Sequence, residues 1–200
     1  MLNTVRQRGF NLIEVMVIVT VLGLLIAAGI PSMSEWIRSV RVRNTAEVAM
    51  NGLQKARNEA MKRNQVVAFW LVGPAGTAKP DATCELSASS AAWVVSLDDP
   101  TGKCDVAASP TTAPRIIETW GPGASAAGIV VTAVDQDDNE ATSVRFNAFG
   151  QPLPGSAPIK QIDFEDAQAG TRRLRIQISA GGGVRMCDRD VDAPDPRACL

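Results

Sequence analysis

Residues 9–34 read GFNLIEVMVIVTVLGLLIAAGIPSMS. From Val15 to Ser34 no side chain is charged. As a helix, that run is roughly 30 Å long, about the hydrocarbon thickness of a bilayer. Arg6 and Arg8 precede it and favour a cytoplasmic leading end. A secretory signal shares the basic start and apolar core, and Ala27 and Ala28 mimic part of its cleavage site. Two features argue for something else. The apolar run is longer than such a signal needs, and Glu14 sits just inside it. A carboxylate at that depth is costly and demands a partner or a role.

The helical pattern continues past this run. Pro31 lacks a backbone donor, and Gly23 and Gly29 weaken the same region, so the sequence permits a kink or local melting there. Over residues 35–64, Val42, Ala46, Ala49, Leu53, Ala56 and Ala60 recur at spacings of three and four. They draw one apolar stripe, broadened by Met50 and Met61. Gly52 lies inside it at some cost to the helix and points to a close approach. The polar side carries more cations (Arg38, Arg41, Arg43, Lys55, Arg57, Lys62, Arg63) than anions (Glu35, Glu47, Glu59); it reads as a solvated face, with a face that meets anionic lipid or an acidic neighbour subunit as the alternative. A helix from about residue 10 to 64 is roughly 80 Å long. A filament core has a use for that length, and an isolated globular domain has none.

After Asn64 the pattern changes to strands. Candidates are residues 66–72, 92–97, 115–120, 128–134, 141–147, 173–179 and 183–187. The clearest is 173–179, where Leu174, Ile176 and Ile178 alternate with polar residues, so one face is buried and the other wet. The run DQDDNE at 135–140 reads as an acidic hairpin turn. Segments 73–91, 98–114 and 150–170 read as irregular loops. Cys84, Cys104, Cys187 and Cys199 form no CxxC pair, and in an exported chain they imply two disulfides. Three pairings are open; the most local joins Cys84 to Cys104 and Cys187 to Cys199.

The hexapeptide Gly9-Phe10-Asn11-Leu12-Ile13-Glu14, followed by the apolar run, resembles the processing site of type IV pilins and type II secretion pseudopilins. The resemblance implies cleavage by a prepilin peptidase between Gly9 and Phe10, and N-methylation of Phe10. It also implies that Glu14 aligns subunits, pairing with the new α-amine of a neighbour as a register device. Asn11 stands where Thr is more usual. The head extends the likeness. Phe146-Asn147-Ala148-Phe149-Gly150 before a late strand pair, then Gly183-Val184-Arg185-Met186-Cys187-Asp188, resembles FimT/GspH minor pilins and pseudopilins, FimU-like minor pilins among them.

The expected fold is therefore α+β and pilin-like. A long N-terminal helix, transmembrane and then amphipathic, packs on an antiparallel β-rich head. The expected divisions are a leader at 1–9, a transmembrane helix at 10–34, an amphipathic helix at 35–64 and a head at 65–200. The resemblance implies a minor type IV pilin that primes or joins pilus assembly. Its alternatives are a GspH-like minor pseudopilin of a type II secretion system and a DNA-binding FimT-like pilin for natural transformation. Expected partners are other minor pilins, a major pilin or pseudopilins, the prepilin peptidase and the bacterial inner membrane. The expected placement is single-pass with a periplasmic head, then the pilus or pseudopilus.

No enzymatic activity, cofactor or metal is expected. The chain has no histidine, which removes the commonest metal ligand and general base, and its formal net charge is -1. The acidic run 135–140 lacks the spacing and central glycine of a calcium loop. Asp188, Asp190, Asp192 and Asp195 mix with arginines near the chain end and read as a polar surface loop. Asp163, Glu165 and Asp166 have no nucleophile beside them, and the glycines at 181–183 lack the helix and lysine of a phosphate loop. Arg172, Arg173, Arg175 and Arg185 are candidate DNA contacts. Gly183 stands where DNA-binding relatives carry the first arginine of a basic tail, and aspartates follow, so nucleic acid is not an expected partner.

Overall fold

The computed structural model describes residues 11–73, 79–155, 157–168 and 171–199, without the side chains of 27–32 and 124–125. Gly9 and Phe10 lie outside these residues. One helix, α1 (Leu12–Arg63), comes first. Nine strands follow: β1 (Val67–Gly73), β2 (Glu85–Leu86), β3 (Trp93–Ser96), β4 (Ile116–Trp120), β5 (Ile129–Val134), β6 (Ser143–Phe146), β7 (Gln161–Asp166), β8 (Leu174–Ile178) and β9 (Val184–Asp188). The chain divides into two compact units, residues 1–37 and 38–200.

In the first unit the helical assignment runs unbroken through Pro31, so no local melting appears there. The described apolar side chains from Leu12 to Ile26 are exposed, Leu12 by 75% and Leu24 by 73%. Thr20 satisfies its hydroxyl within the helix, donating to the Met16 and Val17 carbonyls. Among the described residues no helix is long and apolar enough to cross a membrane. This finding corrects the transmembrane reading of residues 10–34 and, with it, the single-pass inner-membrane placement.

The second unit is an α+β head built from two antiparallel sheets. In the first, the order is β2-β1-β3-β4, and β6 also pairs with β1. In the second the order is β5-β7-β8-β9. The helical stripe Val42, Ala46, Ala49, Leu53, Ala56 and Ala60 is fully buried. It shares one core with Phe69, Trp93 and Phe146 of the first sheet and Ile162, Phe164 and Ile176 of the second. Small residues let the helix sit close. A Cβ on Gly52 would lie 2.9 Å from both Phe69 and Trp93, closer than carbon atoms pack. The outer side of the first sheet carries a smaller cluster of Val72, Ala92, Val94 and Ile116 around the Cys84–Cys104 disulfide. The second disulfide joins Cys187 to Cys199 and holds the chain end beside β9.

Two elements differ from the sequence reading. Residues 150–170 contain β7, the inner strand that joins β5 to β8. Its Ile162 and Phe164 are buried and alternate with half-buried polar residues, a period-two signal masked by the prolines and glycines around it. Segment 73–91 contains the two-residue β2, which closes on Val72 and Gly73.

Candidate functional site

Two surfaces of the head carry most of its charged contacts. The first is the seam between α1 and the strands. Lys55 pairs with Glu118 of β4. The Arg57 Nε donates to the Gly150 carbonyl at 3.0 Å. These residues do not simply form a solvated face, because both tie the helix to the head across long sequence separations. Arg63 and Lys62 close on Glu59, and Arg43 on Glu47, within the helix.

The turn that receives Arg57 is tightly built. Asn147 Oδ1 accepts from the Phe149 and Gln151 amides, and the Gly150 amide donates to the Asn147 carbonyl. Gly150 has φ +71° and faces Arg57 and Met61. Gly182, in the turn between β8 and β9, has φ +80° and rests directly on the Gly150 backbone. Phe149 points outward from this turn and is 81% exposed.

The second surface holds the arginines considered for nucleic acid. The register of β7 and β8 sets Asp163 opposite Arg175, and the two form a two-pronged pair at 2.6 and 2.8 Å. Arg189 reaches the same carboxylate at 3.0 Å. Arg172 pairs at 2.6 Å with the buried Asp188, and Arg173 at 2.6 Å with Asp190. Arg185 donates to the Ala198 carbonyl. Hydrogen bonding to Asp163 raises the Arg175 pKa, and Asp190 does the same for Arg173. The four candidate phosphate contacts thus come near one another as members of internal ion pairs and hydrogen bonds. Asp163 is the shared counter-ion of Arg175 and Arg189.

Asp135 is likewise structural. Its Oδ1 accepts from the Asp137 and Asn139 amides and closes the acidic turn. No group of carboxylates or thiolates suited to a metal occurs among the described residues. Glu14 lies on the exposed helix of the first unit.

Several carboxylates sit below their ordinary pKa. The Arg63 hydrogen bond lowers Glu59 and the Arg115 bond lowers Asp98. Burial pushes Asp190 up, but the Arg173 amide and guanidinium outweigh it. Arg197 holds Asp195 at about 2. A carboxyl with a depressed folded pKa adds stability above its unfolded value, and that stability is lost as pH falls through the folded value. The melting temperature is therefore expected to be level from pH 7 to about 5 and to fall from about pH 4 toward 2. A thermal-melt series across pH checks this, and a midpoint that rises on acidification contradicts it.

The head is two sheets clamped to one helix, with Arg172, Arg173, Arg175 and Arg189 paired to its own carboxylates. The family model described as "Type II transport protein GspH" matches residues 45–182, and the chain belongs to that family. As such it is a minor pilin or pseudopilin type of structural subunit and not an enzyme. Two solved structures are similar, both of the type IV minor pilin FimU from Pseudomonas aeruginosa strain PAO1. The P21 crystal form is 15% identical over 72% of this chain and 87% of that one, with a TM-score of 0.47. The P65 form is 15% identical over 72% and 90%, with a TM-score of 0.42. No curated protein matches the chain.

Proposed function

We propose that the chain is a minor type IV pilin that joins or primes a pilus as a structural subunit. The observation that carries this reading is the first unit of α1. Its apolar side chains from Leu12 to Ile26 are exposed, so they need cover from outside the chain. A helical core shared among subunits supplies that cover. In this reading the prepilin peptidase cuts between Gly9 and Phe10 and methylates Phe10. Glu14 then sets the register against the α-amine of a neighbour, where a charge pair gives specificity more than net stability. The family description favours a second reading, a GspH-like pseudopilin of a type II secretion system.

Nucleic-acid binding has less behind it. Arg172, Arg173 and Arg175 already hold carboxylates, so a phosphate would have to displace Asp188, Asp190 and Asp163.

The expected result is recovery of the chain in sheared filaments, with an N-terminal peptide that begins at singly methylated Phe10. Glu14→Ala is expected to leave the head folded and to reduce that recovery at least about tenfold, the loss of roughly 1.4 kcal/mol in an assembly equilibrium. Mass spectrometry of the filament fraction checks both. An uncut Gly9–Phe10 bond together with Glu14-independent recovery contradicts the reading.

A further inference from the structure

We propose that the Cys187–Cys199 disulfide is a site of thiol–disulfide exchange, and that its reduction by a dithiol releases segment 191–199 from the free edge of β9. The device is independent of the filament reading and goes beyond it.

The two disulfides differ in how far a thiol can reach them. Cys84 and Cys104 are 1% and 0% exposed, inside the apolar cluster of Val72, Val94 and Ile116. Their backbones are held as well. The Gly102 amide donates to the Cys84 carbonyl at 2.9 Å, and the Thr119 hydroxyl to the Cys104 carbonyl at 3.1 Å. Cys187 is buried on β9, but its partner Cys199 is half-buried. Exchange needs a thiolate to approach one sulfur of the bridge, so access selects both the bridge and the sulfur that is attacked. Cys199 is the accessible one.

Little besides the bridge holds segment 191–199. Asp192, Ala193, Pro194, Pro196 and Arg197 are exposed, and Ala198 is its buried apolar residue. The segment closes its turn on itself. The Asp195 amide donates to the Asp192 carbonyl, the Ala198 amide to the Asp195 carbonyl, and the Arg197 guanidinium to the Asp195 carboxylate. Toward β9 it offers two carbonyls. That of Arg197 accepts from the Asp188 amide at 2.8 Å, and that of Ala198 accepts from Arg185. Such bonds add little net stability in water. A segment with so little buried apolar surface opens readily once its covalent tie is cut.

One thiolate of the dithiol attacks Cys199 Sγ. The Cys187–Cys199 bond breaks, a mixed disulfide forms on Cys199, and Cys187 leaves as a thiolate that takes up a proton. The second thiol of the donor then displaces Cys199. The donor becomes a disulfide, and two electrons and two protons pass to the protein. The consequence lies at a sheet edge. β9 is the last strand of the second sheet, and Ala198 caps its outer side with a parallel bridge to Asp188. Covering an edge strand is one way in which proteins prevent unwanted strand pairing. Pro196 and Arg197 also wall a cleft of about 250 Å³ whose other sides include Arg43 of α1, Leu174 and Met186. Release therefore uncovers the Asp188 amide, frees the Arg185 guanidinium and opens that cleft on one side.

The test uses the full chain in neutral detergent, with dithiothreitol as the dithiol. Thiols freed over time are trapped with light N-ethylmaleimide. The chain is then denatured and fully reduced, and the remaining thiols take the heavy reagent. Peptide mass spectrometry is expected to show Cys187 and Cys199 opening at least about tenfold faster than Cys84 and Cys104. Hydrogen exchange under the same conditions is expected to speed up at least about tenfold at Asp188 and the amides of 191–199, with β8 unchanged. The double variant Cys187→Ser with Cys199→Ser, without reductant, is expected to show the same exchange pattern. Equal opening rates, or Cys84–Cys104 opening first, overturn the proposal. Selective reduction that leaves exchange at Asp188 and 191–199 unchanged overturns it as well. Should the double variant not fold, trapping and exchange on the native chain decide between these outcomes.

Discussion

Gly182→Ala is expected to cost the head about 3–5 kcal/mol, the sum of overpacking against rigid backbone and a left-handed backbone strain. A Cβ at this position would lie 1.8 Å from the Gly150 carbonyl oxygen and 2.9 Å from the Gly150 carbonyl carbon. Neither atom belongs to a flexible side chain. The Gly150 turn is itself anchored, by its bond to Asn147 and by the Arg57 guanidinium. The φ of +80° at Gly182 adds strain for any residue that carries a side chain. For a domain of this size the melting temperature is expected to drop by about 10 °C. Gly181→Ala is the control, since a Cβ there meets nothing within 4 Å. Parallel thermal melts decide the matter. Equal melting temperatures for the two variants would show that the β8–β9 turn and the Gly150 turn do not bear on each other.

A loss of similar size is expected from Phe164→Ala, for a different reason. Phe164 is 1% exposed, in the middle of the second sheet, and belongs to the core that the helical stripe shares. Truncation removes buried apolar surface and leaves a cavity that a close-packed core fills only in part. The typical cost of such a change is about 3–5 kcal/mol. Denaturant unfolding measures it directly. Phe149→Ala makes the informative contrast, because the same change at a residue 81% exposed is expected to leave stability within about 0.5 kcal/mol. A small effect at Phe164 would mean that the two sheets do not share one core with α1.

These two phenylalanines also show where the sequence was informative. The helical stripe was legible because small and apolar residues recur at three- and four-residue spacing without interruption. Gly52 was legible because a glycine is costly in a helix, and its close approach to Phe69 and Trp93 gives the reason for it. Strand β8 announced itself through Leu174, Ile176 and Ile178. Strand β7 has the same alternation in Ile162 and Phe164 but sits among Pro152, Pro154, Pro158 and Gly155, and those residues read as loop.

What escaped sequence reasoning depends on register. Asp163 faces Arg175 because of how β7 pairs with β8, and Arg172 meets Asp188 because β9 returns beside β8. Nothing local marks those residues as partners. The roles of Lys55 and Arg57 depend on Glu118 and Gly150, far along the chain, so their helix face looked solvated. The longest reach of the sequence was at its start, in the apolar run with Glu14 inside it. The membrane-spanning reading of that run is not upheld, since no helix among the described residues is long and apolar enough to cross a membrane.

The most direct test of the filament-subunit account is crosslinking mass spectrometry on sheared filaments from cells that carry the native chain, beside cells that carry Glu14→Ala. The account predicts crosslinks from α1 of this chain to the helices of pilus subunits, lost in the Glu14→Ala strain. Crosslinks to secretion-system pseudopilins instead would move the chain to the second reading. A native chain with no crosslink to any filament subunit would contradict the account.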